Sequence, residues 1–160
     1  MIDDIDRQLL EILQSDGRTS NAELARRVGM APSAVFERVR RLEQKGVIAG
    51  YAAHIDPRIV ERSLLAFVLV RSDEHAGSIS TGQALANEPD VLEVHHVAGQ
   101  DSYLVKVRVR DPESLGRLLR ERFGAIPGVR STQSTIALET MKESWALPVN
   151  GLPRLEKVRG

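Results

Sequence analysis

The chain has 160 residues, 22 Lys and Arg against 22 Asp and Glu, 42% hydrophobic and 28% charged residues, and no cysteine. That size holds one domain or two small ones, and the balance of apolar and charged residues is that of a soluble globular protein. Disulfides, thiolate catalysis and cysteine-ligated zinc are excluded, no apolar run nears the roughly 20 residues of a membrane helix, and the acidic start MIDDIDRQLL is unlike a basic secretory leader, which points to the cytoplasm.

In DDIDRQLLEILQSDGR the acids suit the positive end of a helix, and Ile5, Leu9, Ile12 and Leu13 recur on one side. Asp16-Gly17 stops it. TSNAELARRVG predicts a second helix, with Ser20 and Glu23 at capping-box spacing, Leu24, Ala25 and Val28 as its apolar stripe, and Gly29 as its end. MAPSAVFERVRRLEQKG predicts a third, opened by Pro32 and closed by Gly46, although Ala31 stands where a Ser or Thr cap is preferred. A small Ala25, a turn at Gly29 and an apolar plug at Val35 meet the mechanical needs of a helix-turn-helix.

The third helix buries Val35, Val39 and Leu42, which sends Ser33, Glu37, Arg40, Arg41 and Gln44 outward, with Ala34 and Arg38 flanking. Small residues at its start approach base edges, and the arginines suit guanine edges or phosphates. Between residues 25 and 45 six cations face only Glu37 and Glu43. Such a run is usually a solvated helix face. Combined with the turn chemistry it reads as a face for duplex DNA, with Ser33, Ala34, Glu37, Arg38, Arg40 and Arg41 as the contact set.

YAAHIDPRIVERS, over 51–63, reads as a strand and linker. LLAFVLVRSD is apolar on both alternating sets and predicts a strand buried on both faces. A weaker helix in GSISTGQALANEPD, two strands around GQDS, a helix in DPESLGRLLRERFGAIPG capped by Asp111, and a final strand in VRSTQSTIALETMK complete the order βαββαβ. The expected fold is α+β: a winged helix-turn-helix over 1–50, then a ferredoxin-like domain over 64–145 and a C-terminal tail over 146–160, mobile past Pro148. Two helices cover one face of a four-stranded sheet, so the other face meets a second copy by two-fold symmetry.

VAGQDSYLVKV is the stretch that suits a small ligand, because Gly99 opens backbone amides and Asp101, Ser102 and Tyr103 can bond an α-amino or α-carboxylate group. An ordinary hairpin turn explains it equally. His95 and His96 adjoin in a strand and so point to opposite faces, which makes them structural rather than metal ligands. No Gly-rich phosphate loop or nucleophile motif occurs, so neither a metal nor a cofactor is called for.

The opening D-x-x-D-x-x-(hydrophobic)-L, the DGR turn, PSAV followed by RVRRLE-x-x-GVI, and the closing GY stand in register. Together they resemble the N-terminal half of the Lrp/AsnC, or feast/famine, transcription regulators, and the resemblance runs through about Trp145. It implies a sequence-specific DNA-binding regulator with no catalytic residues. Its second domain would assemble dimers into tetramers or octamers, and an amino-acid effector would sit near the hairpin turn between dimers. The effector set it implies is Gly99, Gln100, Asp101, Ser102 and Tyr103, with Ser134 and Thr135 from a neighbouring subunit. The family's usual G-x-x-D-Y is altered here, with Ser102 in place of the Asp and Asp101 one position early. The rival readings are an effector-independent architectural DNA-binding protein and a small dimeric ferredoxin-like enzyme.

Overall fold

Asp3 begins the first helix by accepting a hydrogen bond from the Asp6 N–H at 2.8 Å, while the Asp6 carboxylate accepts from the Asp3 N–H at 3.2 Å. This reciprocal cap opens α1 (Asp4–Ser15). The computed structural model describes residues 2–75, 77–99 and 102–149, which divide into two units, 54–141 and the remainder.

In the first unit α1 is followed by α2 (Asn21–Val28) and α3 (Pro32–Gln44). Ser20 caps α2 by accepting from the Glu23 N–H at 3.2 Å. The second half of the expected capping box is absent, because the Glu23 carboxylate is drawn to Arg26 and Arg27, each at 2.7 Å. Gly29 turns the chain at φ +69, a left-handed conformation in which any Cβ is strained. As the sequence predicts, α3 starts at Pro32 with no side-chain cap from Ala31. Leu9, Leu24, Ala25, Val35 and Val39 form the core, with Ile5, Ile12, Leu13 and Val28 packed around it. Each fully buried Leu or Val contributes roughly 1.5–3 kcal/mol, so this core fixes which side of α3 faces out.

The strand expected within 51–63 does not form. Pro57 lacks an N–H for a ladder, and the Asp56 carboxylate folds the chain into a turn by accepting from the Arg58 N–H at 2.9 Å and its guanidinium at 2.7 Å. The stretch before the expected tail's last residues is placed differently, while 150–160 of that tail lie outside the described residues. Residues 142–149 belong to the first unit, where the Leu147 N–H donates to Gln14 at 2.7 Å and Arg7 donates to the Val149 carbonyl at 3.1 Å. Val149, the last described residue, is thus held to α1 by one hydrogen bond.

The second unit runs β1 (Leu64–Ser72), α4 (Ser80–Ala86), β2 (Val91–His96), β3 (Tyr103–Val109), α5 (Pro112–Arg117) and β4 (Val129–Ile136). The sheet order is β2-β3-β1-β4, with antiparallel neighbours throughout. Beyond α5 the helical turns widen over Leu118–Arg122, where the Phe123 N–H reaches back five residues to Leu118, and tighten over Phe123–Ala125. The βαββαβ order is the one expected. Ala66, Val68 and Val70 of β1 and Tyr103, Val105, Val107 and Val109 of β3 point to the helices and are buried together with Leu115, Leu118 and Phe123. The opposite face keeps Phe67 at 38% exposure beside a partly covered Leu69 and Leu104.

Candidate functional site

The contact set expected on α3 divides into two stripes. Ser33, Glu37 and Arg40, at i, i+4 and i+7, are exposed, and Arg40 has no ion-pair partner among the described residues. Ala34, partly exposed, borders this stripe beside Ser33, while Arg38 and Arg41, one position further round, lean toward α1. The Arg38 guanidinium bridges Asp3 at 2.6 Å and Asp6 at 2.8 Å and is only 23% exposed, while Arg41 reaches Asp6 at 3.3 Å. Asp6 itself is 2% exposed. A buried carboxylate needs charged or hydrogen-bonding partners, and α3 supplies them. The Asp6 N–H and then Arg38 hold the Asp3 carboxyl below the ordinary carboxylate range.

Glu23 takes up two further cations of the basic stretch, and hydrogen bonds from Arg26 and then Arg27 bring its carboxyl down to about 2. These pairs lie at the surface, where an ion pair is worth little and exchanges readily for another anion. Of the six cations between residues 25 and 45, Arg40 and Lys45 lack an internal partner among the described residues.

The connection between β2 and β3 is closed by the Val97 N–H, which donates to the Ser102 carbonyl at 3.0 Å. Gly99 adopts φ +137 with open space where a Cβ would stand. Gln100 and Asp101 lie outside the described residues. Ser102 is engaged at three atoms: its N–H donates to the Val70 carbonyl at 3.0 Å, its carbonyl accepts from Val97 at 3.0 Å, and its Oγ accepts from the Ser72 N–H at 3.2 Å.

Tyr103 is 2% exposed and donates its hydroxyl to Glu74 at 2.8 Å. The same carboxylate accepts from the Thr81 N–H and the Ser80 hydroxyl, both at 2.7 Å, and from the Ser78 hydroxyl at 2.9 Å. Burial pushes the Glu74 carboxyl up, but these donors outweigh it and hold the group well below the ordinary range. Ser134 and Thr135 lie on β4, opposite Val68 and Phe67 of β1, and so face opposite sides of the sheet. Within one chain β1 stands between β4 and β3, so the loop and these two residues are not neighbours in the sheet.

The winged helix-turn-helix DNA-binding model matches residues 2–49, and the Lrp/AsnC ligand binding domain matches residues 65–147. The chain is 40% identical over 145 residues to the leucine-responsive regulatory protein of Escherichia coli strain K12, covering 89% of this chain and 88% of that one. It belongs to the Lrp/AsnC family of transcriptional regulators.

Solved structures agree. A transcriptional regulator of Neisseria meningitidis in complex with L-Met superposes with a TM-score of 0.88 at 28% identity, covering 94% of this chain and 98% of that one. A feast or famine regulatory protein of M. tuberculosis complexed with L-methionine gives 0.85 at 39% identity, covering 92% and 99%. The regulator is accordingly a DNA-binding protein with a ligand-binding domain, as the resemblance implies. Among the described residues no three His, Asp or Glu side chains gather as a metal site, and no helix is long and apolar enough to cross a membrane.

Two side chains that sequence reasoning placed at contacts have internal partners in the structure. Arg38 pairs with the Asp3 and Asp6 carboxylates, and Tyr103 donates its hydroxyl to the partly covered Glu74. Two acids of consequence escaped sequence reading. Asp6 was legible only as a helix-start acid, and Glu74 sits in a loop that no periodicity marks. A signal existed for the first: Asp3 and Asp6 carry the spacing of a cap, and α3 carries the arginines to meet them.

Proposed function

We propose that a dimer of this regulator binds duplex DNA by laying the outer stripe of α3 in the major groove. Ser33, Ala34 and Glu37 are the base-edge contacts, Arg40 is the principal phosphate or guanine contact, and Arg26, Arg27, Arg41 and Lys45 add phosphate contacts by exchanging their internal partners for the DNA backbone. The free, exposed Arg40 beside Ser33 and Glu37 is the observation that carries this reading. The open sheet face around Phe67 and Leu69 is the dimer contact, and pairing two α3 helices suits two half-sites one helical turn apart.

The ligand is an amino acid held by the backbone of the Gly99–Tyr103 loop, including Gln100 and Asp101, with Ser134 and Thr135 contributed by a neighbouring subunit. Support comes from the two methionine-bound relatives and from the left-handed Gly99. By binding one assembly state better than another, the effector shifts the spacing of the DNA-reading helices. Tetramers or octamers of the dimer, a cytoplasmic location and the absence of catalysis complete the proposal.

Salt titration of duplex binding by the full-length protein tests it. Neutralising about six phosphates gives a log-log slope near −5. Light scattering with each amino acid then reads assembly. A flat salt response contradicts the DNA-binding face; a steep response indifferent to every amino acid supports the face and removes the effector, leaving an architectural DNA-binding protein.

A further inference from the structure

Phe36 lies on the outer side of α3, three residues after Ser33 and four before Arg40, and is 50% exposed. It shares one continuous patch with Ser33, Glu37 and Arg40, at i, i+3, i+4 and i+7. The unit's core does not use it, since Val35, Val39 and Leu42 fill the buried side of the helix. Isolated surface aromatics are common and need no explanation by themselves. Two observations set this one apart.

First, it occupies the N-terminal half of the recognition helix, the part that a helix-turn-helix brings against base edges. Second, its neighbours in the patch are Ser33 and two charged groups without ion-pair partners among the described residues, Glu37 and Arg40. An apolar protein surface docked on Phe36 would strip water from both charges and return nothing to them. A major groove offers both kinds of contact at once: phosphates and polar base edges for the charged and hydroxyl groups, and a single kind of apolar group, the thymine 5-methyl.

Resting on the DNA-binding reading above, we infer that Phe36 is a specificity-determining residue that recognises a thymine through its 5-methyl group. A phenyl ring has no donor or acceptor for the amide and carbonyl edges of the other bases, so its discrimination is between a methyl and its absence. Arg40 fixes the helix on the backbone, and Phe36 selects the base.

The test uses full-length protein and a duplex recovered by selection from a random-sequence pool, in which each thymine is replaced in turn by deoxyuridine, removing only the methyl. For the wild-type protein at least one replacement weakens binding by about three- to tenfold. Phe36→Ala binds the thymine and deoxyuridine duplexes equally and keeps the wild-type salt slope, because no phosphate contact is lost. Phe36→Leu, still apolar, keeps the discrimination. The inference is overturned if every deoxyuridine duplex binds as tightly as its parent, or if Phe36→Ala still discriminates between them. A pool from which no preferred duplex emerges overturns the DNA-reading role of α3, and this inference with it.

Discussion

Each unit of the regulator has a carboxylate that gathers several donors, buried Asp6 in one and partly covered Glu74 in the other, and the two are satisfied by opposite means. Asp6 in the helical unit is met by two guanidinium groups, those of Arg38 and Arg41. Glu74 in the sheet unit is met by one N–H and by hydroxyls, those of Thr81, Ser80, Ser78 and Tyr103. Cationic partners tie the acid to the helix proposed to meet DNA, and in that reading Arg38 stays with its carboxylates while the more exposed Arg41 can exchange Asp6 for a phosphate. Neutral partners offer no such exchange. The comparison teaches that the helical unit joins its own packing to its electrostatic task, while the sheet unit isolates a charge to fix a loop and a helix start.

Removing each acid exposes the difference most strongly. Asp6→Ala leaves Arg38 without its buried partner and undoes the reciprocal cap of α1, and we expect about 2–4 kcal/mol of lost stability by denaturant unfolding. Glu74→Gln keeps the shape but weakens hydrogen bonds to a charged acceptor, for a loss of about 1–3 kcal/mol. Its effect reaches Tyr103, whose ring packs so closely on Gly82 that a Cβ there would come within 2.5 Å of it. Hydrogen exchange should therefore quicken at β3 and the start of α4, while α1 and α3 stay unchanged.

Acid sharpens the same contrast. The folded Glu74 carboxyl lies below its unfolded value of about 4.3, so its stabilisation is complete above that value and is lost as pH falls toward the folded one. The unfolding temperature of the wild type should thus hold down to about pH 5 and fall increasingly below it, and Glu74→Gln should fall less over that acid range. The smallest effect is salt. At about 1 M the half-exposed Arg41 contact weakens, and exchange at α1 and α3 rises by about twofold while that at β1 and β3 does not move.

Much of the fold is legible in the sequence because its signals are local. The apolar spacing of Leu9, Leu24, Val35 and Val39, the positive φ of Gly29, the Asp111 cap and the alternation of Tyr103, Val105, Val107 and Val109 each act within a few residues. What escapes depends on contacts far apart in the chain. Arg38 looks like a surface cation until Asp3, 35 residues away, is brought beside it. The anchoring of Leu147 on Gln14 spans 133 residues and leaves no periodic trace. Tyr103 is a strand residue by alternation, yet its role follows from Glu74 in a loop. Phe36 escapes for a different reason, since it belongs neither to the buried stripe of Val35, Val39 and Leu42 nor to the polar set, and its exposure alone marks it.

The most direct test measures the salt dependence of duplex binding for Arg40→Ala beside Arg38→Ala. With Arg40 on the DNA and Arg38 on Asp6, the first variant flattens the log-log slope by about 1 and unfolds like the wild type. The second keeps the wild-type slope and unfolds at lower temperature. Equal flattening by both variants, or by neither, contradicts the division of α3 into a stripe for DNA and a stripe for the protein itself.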